Sequence, residues 1–497
     1  MIVDPDFPIR KVLIANRGEI ACRVIRSLRA MGLGSVAVHH RAEADALHVR
    51  MADQAVELFG DTPVAAHLDA GQIIAAATAT GADAIHPGYG FLSENAEFAR
   101  AVADAGLIFI GPSADSIALM GDKISSRDFA QAHGVPVAPS VMPTDDLDEF
   151  ARQAAQIGFP LLIKASAGGG GKGMSIVRDA DGLIPAAKLA ASEAQRYFND
   201  GRIYAELYVE RPRHIEVQIL GDGENGAIHL HERECSIQRR FQKIVEEAPS
   251  AGLPPELAAE ICAAAVRLAS AASYRNAGTV EFILAPDGRF YFLEMNTRLQ
   301  VEHPVTEMIS GLDLVAAQVN IAAGRGLPIG QDDLRRDGHA IECRICAEDP
   351  ERDFMPETGR IRLLRAPQAP WLRFESGLTE GEAVTSDFDP MLAKLVVHGA
   401  SREQAIERTL EALRDLTLLG VTTNIDYLAR VIDSPAFRAG ELHTGFVAQH
   451  AQALAPAPMT DDALAPVLIA AALGFREFRQ AVFDVPELHA AIGPWRN

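Results

Sequence analysis

The chain has 497 residues, 48% hydrophobic and 6% aromatic, with a formal net charge of −21 at pH 7. At about 150 residues per domain this is a chain of several subdomains with ample apolar material for a core, which excludes intrinsic disorder, and its acidity disfavours sequence-independent nucleic-acid binding. No apolar run approaches the roughly 20 residues that span a bilayer, MIVDPDFPIR lacks the basic-then-apolar order of a signal peptide, and five cysteines are an odd set for a disulfide framework, so the expected compartment is the reducing cytoplasm.

KVLIAN opens as an apolar strand. RGEIACRVIRSLRAMG follows with Ile20, Val24, Leu28 and Met31 at helical spacing, and SVAVHH returns as a strand, completing a βαβ unit. A helix near 68–80, the strand ADAIHP, a helix capped at Ser93 and the strand LIFIGP continue the alternation. This predicts a parallel sheet covered by helices, with ligands near the carboxyl ends of its strands. The first turn reads NRGE rather than GxGxxG, which removes the main support for a dinucleotide site.

From 133 to 207 a small glycine-hinged block is expected, with strand PLLIK, a glycine run, strand MSIV and a helix before IYAEL. From His214 the pattern turns β-rich, through HIEVQIL, AIHLHER, TVEFIL and FYFLEMN to IECRICAED and MLAKLVVHG. Cys343 and Cys346 form a CxxC inside this alternation and are read as structural, with no metal assigned to cysteine. After about 450 the composition becomes Ala- and Pro-rich, a linker into one amphipathic segment.

The glycines at 168–171, followed by Lys172 and Gly173, lie between two strands, so they are not a Walker A loop, which opens a helix. Successive glycines can aim backbone N–H groups at polyphosphate oxygens, and they let a flap close. Lys164 ends the strand before the flap and Lys123 sits in MGDKIS; each is a candidate to neutralise phosphate charge.

In TVEFILAPDGRFYFLEMNTRLQVEHP, Asp287-Gly288 is a two-residue hairpin signal. Counting outward from that turn pairs 286 with 289, 283 with 292 and 281 with 294. Glu281 and Glu294 would then face each other, and two facing carboxylates repel unless a cation lies between them. Asn296, two residues on, adds a neutral oxygen suited to Mg²⁺. Arg298 and Glu302 follow as an anion-binding guanidinium and a potential general base. The segment ERECSIQRRFQKIVEEAPS, with Arg239, Arg240 and Lys243, reads by composition as a solvated charged loop.

Together KVLIANRGEIACRVIR, HPGYGFLSEN, FIGP, MGDK, IKASAGGGGKGM, PRHIEVQ, QRRFQKIVEEAP, GTVEF, FLEMNTRLQVEHPVTE and GHAIECRICAEDP resemble the biotin carboxylase family over nearly 10–450. The resemblance implies an ATP-grasp fold of mixed α/β and α+β class. Its parts would be a Rossmann-like subdomain over 1–118, a linker and mobile lid over 119–208, a β-rich catalytic core and C-terminal subdomain over 209–450, and a linker with the start of a following region over 451–497. It assigns Lys123, Lys164, Glu206, Val209, His214 and Gln238 to ATP, with Gly170, Gly171 and Met174 on the lid. Glu281, Glu294 and Asn296 match positions for Mg²⁺ or Mn²⁺.

The same resemblance makes Glu302 the base that deprotonates bicarbonate for attack on the γ-phosphate, giving carboxyphosphate. Lys243 and Arg298 would hold bicarbonate and the intermediate, and Arg344 would stabilise the biotin enolate. Phe241 departs from the His common in QRRHQK, which puts a ribose contact in doubt, while Lys172 keeps the charge of the usual Arg. With no Met-Lys-Met attachment motif and no carboxyltransferase region, the chain is expected to need a biotin carboxyl carrier domain or protein and a carboxyltransferase subunit. A homodimer or larger carboxylase complex is expected, with no nucleic acid and no membrane. The tail resembles the segment that follows in longer acyl-CoA carboxylase α chains.

Overall fold

The computed structural model describes residues 6–141, 144, 146–165, 174–198, 201–457 and 461–482. The glycine flap, with Gly170 and Gly171, lies outside the described residues. The chain divides into two compact units, Met1–Leu454 and Ala455–Asn497.

In the first unit, β1 (Lys11–Ile14), β2 (Gly34–His40), β3 (Gln54–Leu58), β4 (Ala84–His86) and β5 (Ile108–Phe109) form a five-stranded sheet in the order β3-β2-β1-β4-β5. Its pairings are all parallel. The amphipathic α1 (Gly18–Met31) links β1 to β2 and buries Ile20, Val24, Ile25 and Leu28. The polar edge strand β3, of which only Leu58 is buried, carries too little apolar pattern to be read from sequence. α2 (Ala70–Thr80) is capped by Asp69, and α3 (Ala96–Asp104) by Asn95, which accepts from the Phe98 N–H. Ser93 is not the cap, because its N–H closes the preceding turn on Gly90 and only the residue before the first helical turn reaches the free N–H groups. The strand order reverses between β1 and β4, and there Asn16 Nδ2 donates to the carbonyls of Pro87 at 2.8 Å and Tyr89 at 2.7 Å.

α4 (Lys123–Ala132), capped by Asp122, leads into a four-stranded antiparallel sheet. It is built of β6 (Ser140–Val141), β7 (Leu161–Ala165), β8 (Ser175–Val177) and β9 (Ile203–Leu207) in the order β6-β9-β7-β8. α5 (Leu147–Ile157) and α6 (Leu183–Phe198) close its small core of Phe150, Leu161, Ile163, Val177 and Ile203.

The largest sheet is antiparallel throughout. β10 (Arg213–Asp222), β11 (Ala227–Arg239), β12 (Gln242–Ala248), β13 (Arg275–Leu284), β14 (Phe290–Asn296), β15 (His339–Cys346), β16 (Leu372–Ser376) and β17 (Met391–Gly399) stand in the order β14-β13-β10-β11-β12-β15-β17-β16. α7 (Pro255–Ala271) packs against β10 and β11, α8 (His303–Ser310) against β11, β12, β15 and β17, and α9 (Arg402–Asp415) against β15 and β17. The polar stretch expected to be a solvated loop is instead β11 and β12, with Glu234, Glu246 and Glu247 buried. Its acids tolerate burial because each meets a cation: Arg213, Arg344 and Arg402 respectively. Cys343, fully buried, belongs to the core between this sheet and α9.

The second unit contains α10 (Asp461–Val482), the segment expected beyond the linker. Among the described residues no helix is long and apolar enough to cross a membrane.

Candidate active site

The β13–β14 hairpin sets the first half of the site. Its loop has three residues between Ala285 and Arg289, whose backbone groups bond at 2.7 Å, rather than the expected two. Pro286 lacks the N–H that direct pairing with Arg289 would use, so the ladder begins one residue off, with Leu284 opposite Phe290 and Ile283 opposite Tyr291. A bulge between Phe282 and Glu281 then restores the count, and Glu281 stands opposite Glu294.

That pair belongs to a longer row. Glu216 lies opposite Glu281 in the β10–β13 ladder, and Arg233 lies opposite Glu216 in the β10–β11 ladder. Arg233, Glu216, Glu281 and Glu294 therefore run across four neighbouring strands. Lys243 closes over the row from β12, donating to Glu216 Oε2 at 2.6 Å, Glu281 Oε1 at 2.9 Å and Glu302 Oε1 at 2.6 Å. Burial works against its charge, yet the three carboxylates hold its ammonium well above the ordinary lysine range. The same contacts, with His214 Nε2 at 2.9 Å, hold Glu281 well below the usual carboxylate range despite burial. Glu294 is pushed up by burial and by Glu281.

Two carboxylates and an amide are hard oxygen donors that fit Mg²⁺, and Glu281 facing Glu294 across the ladder is an acid pair that a cation would relieve. As placed, Asn296 turns Nδ2 to Glu281 at 2.8 Å and Oδ1 to Arg298 at 2.9 Å. A half-turn of the amide presents its oxygen instead. His214, Glu216 and Glu281 form a second group whose ligand atoms converge.

Glu302 is the first residue before α8 and only 2% exposed. Lys243 holds one carboxylate oxygen, and Arg344 Nη2 holds the other at 3.0 Å. Burial raises this group, but Lys243 and Arg344 outweigh it and keep Glu302 far below the usual range. Arg298 pairs with Glu94 at 2.8 Å, a residue that sequence reasoning did not single out.

The residues matched to nucleotide come from α4, from the small sheet, and from β10 and β11 of the large one. Lys164 is buried and forms an ion pair with Glu206, across the β7–β9 ladder from Leu162. Burial and the nearby Lys164 act on Lys123, whose ammonium is shifted down. Gln238 Nε2 meets His214 Nδ1 at 3.0 Å. Val209 and Met174 are half-buried just beyond β9 and just before β8. Phe241 is 62% exposed, at the tip of the β11–β12 hairpin, with φ of 67°.

A cavity of about 810 Å³ beside this cluster opens where the parallel sheet reverses order, lined by Asn16, Arg17, Glu19, Tyr89, Phe91 and Asp389 among others. It adjoins the cluster through Tyr89, which donates to Glu19 and feels the Arg344 charge.

An acid row able to hold a hard cation, the lysines Lys123 and Lys164 from α4 and β7, and a carboxylate gripped by two cations define an ATP-grasp ligase site. The chain matches the family described as "Biotin carboxylase, N-terminal domain" over 8–117, "Carbamoyl-phosphate synthase L chain, ATP binding domain" over 122–329, and "Biotin carboxylase C-terminal domain" over 342–449. It is 48% identical over 442 residues to "Biotin carboxylase 2" of Bacillus subtilis, covering 88% of this chain and 99% of that one. It is 47% identical over 458 residues to the mitochondrial methylcrotonoyl-CoA carboxylase subunit alpha of Mus musculus, covering 92% of this chain and 64% of that longer relative. The biotin carboxylase domain of Hydrogenobacter thermophilus 2-oxoglutarate carboxylase, crystallised as a dimer with MgADP, ADP and bicarbonate, superposes with a TM-score of 0.87 at 44% identity, covering 90% of this chain and 99% of that one. The chain belongs to the biotin carboxylase family.

Proposed function

We propose that this chain performs the biotin carboxylase half-reaction, using ATP to place the carboxyl group of bicarbonate on carrier-bound biotin. The observation that carries this is Glu302 held between Lys243 and Arg344, beside the facing Glu281 and Glu294. A bicarbonate entering here draws Lys243 and Arg298 toward its own negative oxygens. Glu302 loses part of its cationic clamp, its basicity rises toward the bicarbonate proton, and the clamp itself explains why it is a weak base at rest. Carbonate attacks the γ-phosphate, ADP leaves, and carboxyphosphate breaks to CO₂ and phosphate. The phosphate removes the biotin ureido proton, Arg344 stabilises the enolate, and the enolate nitrogen bonds to CO₂.

Glu281, Glu294 and Asn296 would hold Mg²⁺, which supplies charge neutralisation across the phosphate oxygens. Lys123, Lys164, Glu206, Val209, His214 and Gln238 would seat the nucleotide under the lid, with Met174, Gly170 and Gly171 on the lid itself. Lid closure would exclude water from carboxyphosphate. The cavity at the sheet's switch point is the place where an open α/β sheet takes its ligand, and its lining residue Tyr89, which feels the Arg344 charge, suits it to a biotin ring on a carrier arm. A biotin carrier, a carboxyltransferase and a second copy of the chain are the partners this reading requires. The subdomain division at 118, 208 and 450 goes with it.

Phosphate release from MgATP and bicarbonate, with and without free biotin, tests the reading. Biotin-stimulated release that needs bicarbonate is the expected result. Release independent of both would sink it.

A further inference from the structure

Under α8, two carboxyls face each other, and among the described residues no cation lies between them. Glu246 on β12 stands directly opposite Glu342 on β15, so both side chains leave the sheet on one face, and both residues are 0% exposed. Arg344, two residues on and on the same face, gives Nε to Glu246 Oε1 at 2.6 Å and Nη2 to Glu302 Oε2 at 3.0 Å. Three oxygens of the facing pair, Glu246 Oε2 and both of Glu342, are buried without a hydrogen-bond partner among the described residues. Buried carboxylate oxygens are rarely left so.

The charged groups around the pair do not fill the gap. Lys394 on β17 is spoken for by Glu19 at 3.0 Å and the Val301 carbonyl at 2.8 Å. Lys243 on β12 serves Glu216, Glu281 and Glu302. Glu375, opposite Lys394 on β16, pairs with Arg373 and Arg26. Glu302 adds a further negative charge, and the His303 Nδ1 on α8 faces the Gln300 carbonyl at 2.7 Å. Burial, only partly opposed by Lys394, drives Glu342 well above the carboxylate range. Burial likewise lifts Glu246 to about 7 against the pull of Arg344.

We infer that Glu342 is a neutral carboxylic acid that positions Arg344, by offering its O–H to Glu246 whenever the guanidinium turns from Glu246 to a substrate oxygen. This rests on the role proposed above for Arg344. Without that proton, Arg344's departure would strand a buried carboxylate opposite another carboxylate, an arrangement that strongly resists the move. With it, Glu246 gives up the charged donor on Oε1 and gains a neutral one on Oε2, so the carboxylate keeps a hydrogen bond. The proton is not consumed; it shifts within a hydrogen bond.

The first test needs no turnover. Infrared difference spectra between the wild-type protein and Glu342→Gln at pH 7 should show the carbonyl stretch of a neutral carboxylic acid that the wild type has and the variant lacks. Absence of the band in folded wild-type protein overturns the inference even if the enzyme is active. The second test is a pH profile. Because the amide cannot ionise, the ratio of Glu342→Gln kcat to wild-type kcat should climb once the pair loses its proton, by up to about tenfold per pH unit. A flat ratio, with the band present, overturns the positioning role and leaves Glu342 merely structural. Wild-type protein that shows the band but no biotin-dependent phosphate release would instead sink the reading of Arg344, and the positioning role with it.

Discussion

Arg233 stands opposite Glu216 in the β10–β11 ladder and donates Nε to its Oε1 at 2.5 Å, with both residues at 0% exposure. Its other nitrogens reach Gln218 at 2.8 Å, Thr306 at 2.9 Å, Thr279 at 3.1 Å and Gln300 at 2.8 Å. Gln300 in turn donates to Glu281 at 2.7 Å. The guanidinium is thus the buried counter-charge behind the acid row. Replacing it with Met leaves Glu216 short of a cation in a closed space, and the expected loss is about 3–5 kcal/mol of folding stability. Urea unfolding reads this directly, and a change under 1 kcal/mol, roughly a surface substitution's effect, would show that the pair is not what holds the row.

Glu302→Gln should fold normally and bind nucleotide, because the amide keeps the shape and Lys243 retains Glu216 and Glu281. Bicarbonate- and biotin-dependent phosphate release should fall by at least about a hundredfold. Activity within a few-fold of wild type would remove Glu302 from the role of base.

Glu294→Gln should act in opposite directions with and without metal. In metal-free protein it relieves the repulsion between Glu294 and Glu281 seen in the raised Glu294, so stability should rise by about 0.5–1 kcal/mol. With MgATP the variant should lose the stabilisation that the wild type gains on binding. Thermal melts in both conditions check it, and equal Mg²⁺-dependent shifts in the two proteins would rule out Glu294 as a ligand.

His48 and His86 are fully buried, with Nε2 facing the Val38 carbonyl at 3.4 Å and Gln318 Oε1 at 3.1 Å. Burial lowers both from 6.5 to about 4. The folded protein therefore binds fewer protons than the unfolded chain between those values, and stability is complete above pH 6.5 and declines as pH falls toward 4. Each histidine contributes on the order of 2–3 kcal/mol to that loss. Urea midpoints at pH 7.5 and pH 4.5 should show the fall, and His48→Gln or His86→Gln should flatten it. Midpoints that do not move with pH would mean that neither ring stays neutral in the fold.

Phe241, exposed at its hairpin tip, should accept His with stability changed by no more than about 0.5 kcal/mol. Restoring a ring nitrogen near the nucleotide should lower KM for ATP while leaving kcat nearly constant, the pattern of added uniform binding. An unchanged KM would place the tip away from the ribose.

The alternation running from KVLIAN to LIFIGP sufficed for four of the five strands of the parallel sheet, all but the polar β3, because helical and strand periods in buried elements are properties of the chain itself. The facing of Glu281 and Glu294 was also legible, although the loop count was wrong by one: Pro286 lengthened the turn and the bulge beside Glu281 cancelled the shift. Glu216 and Glu342 were visible as acids inside the apolar runs HIEVQIL and HAIECRIC, a signal that was there to be used. What these acids meet was not visible. Arg233 and Lys243, which meet Glu216, and Glu246, which faces Glu342, come from other strands, and the register among β10, β11 and β12 passes through bulges that no local pattern specifies. Local sequence thus determined which segments form elements and which residue types could serve phosphate, metal and base. The tertiary structure alone decided which charges are buried together, and so which carboxyls are clamped, which are lifted, and which is left without a partner, because those states depend on desolvation and on neighbours brought in across the sheet.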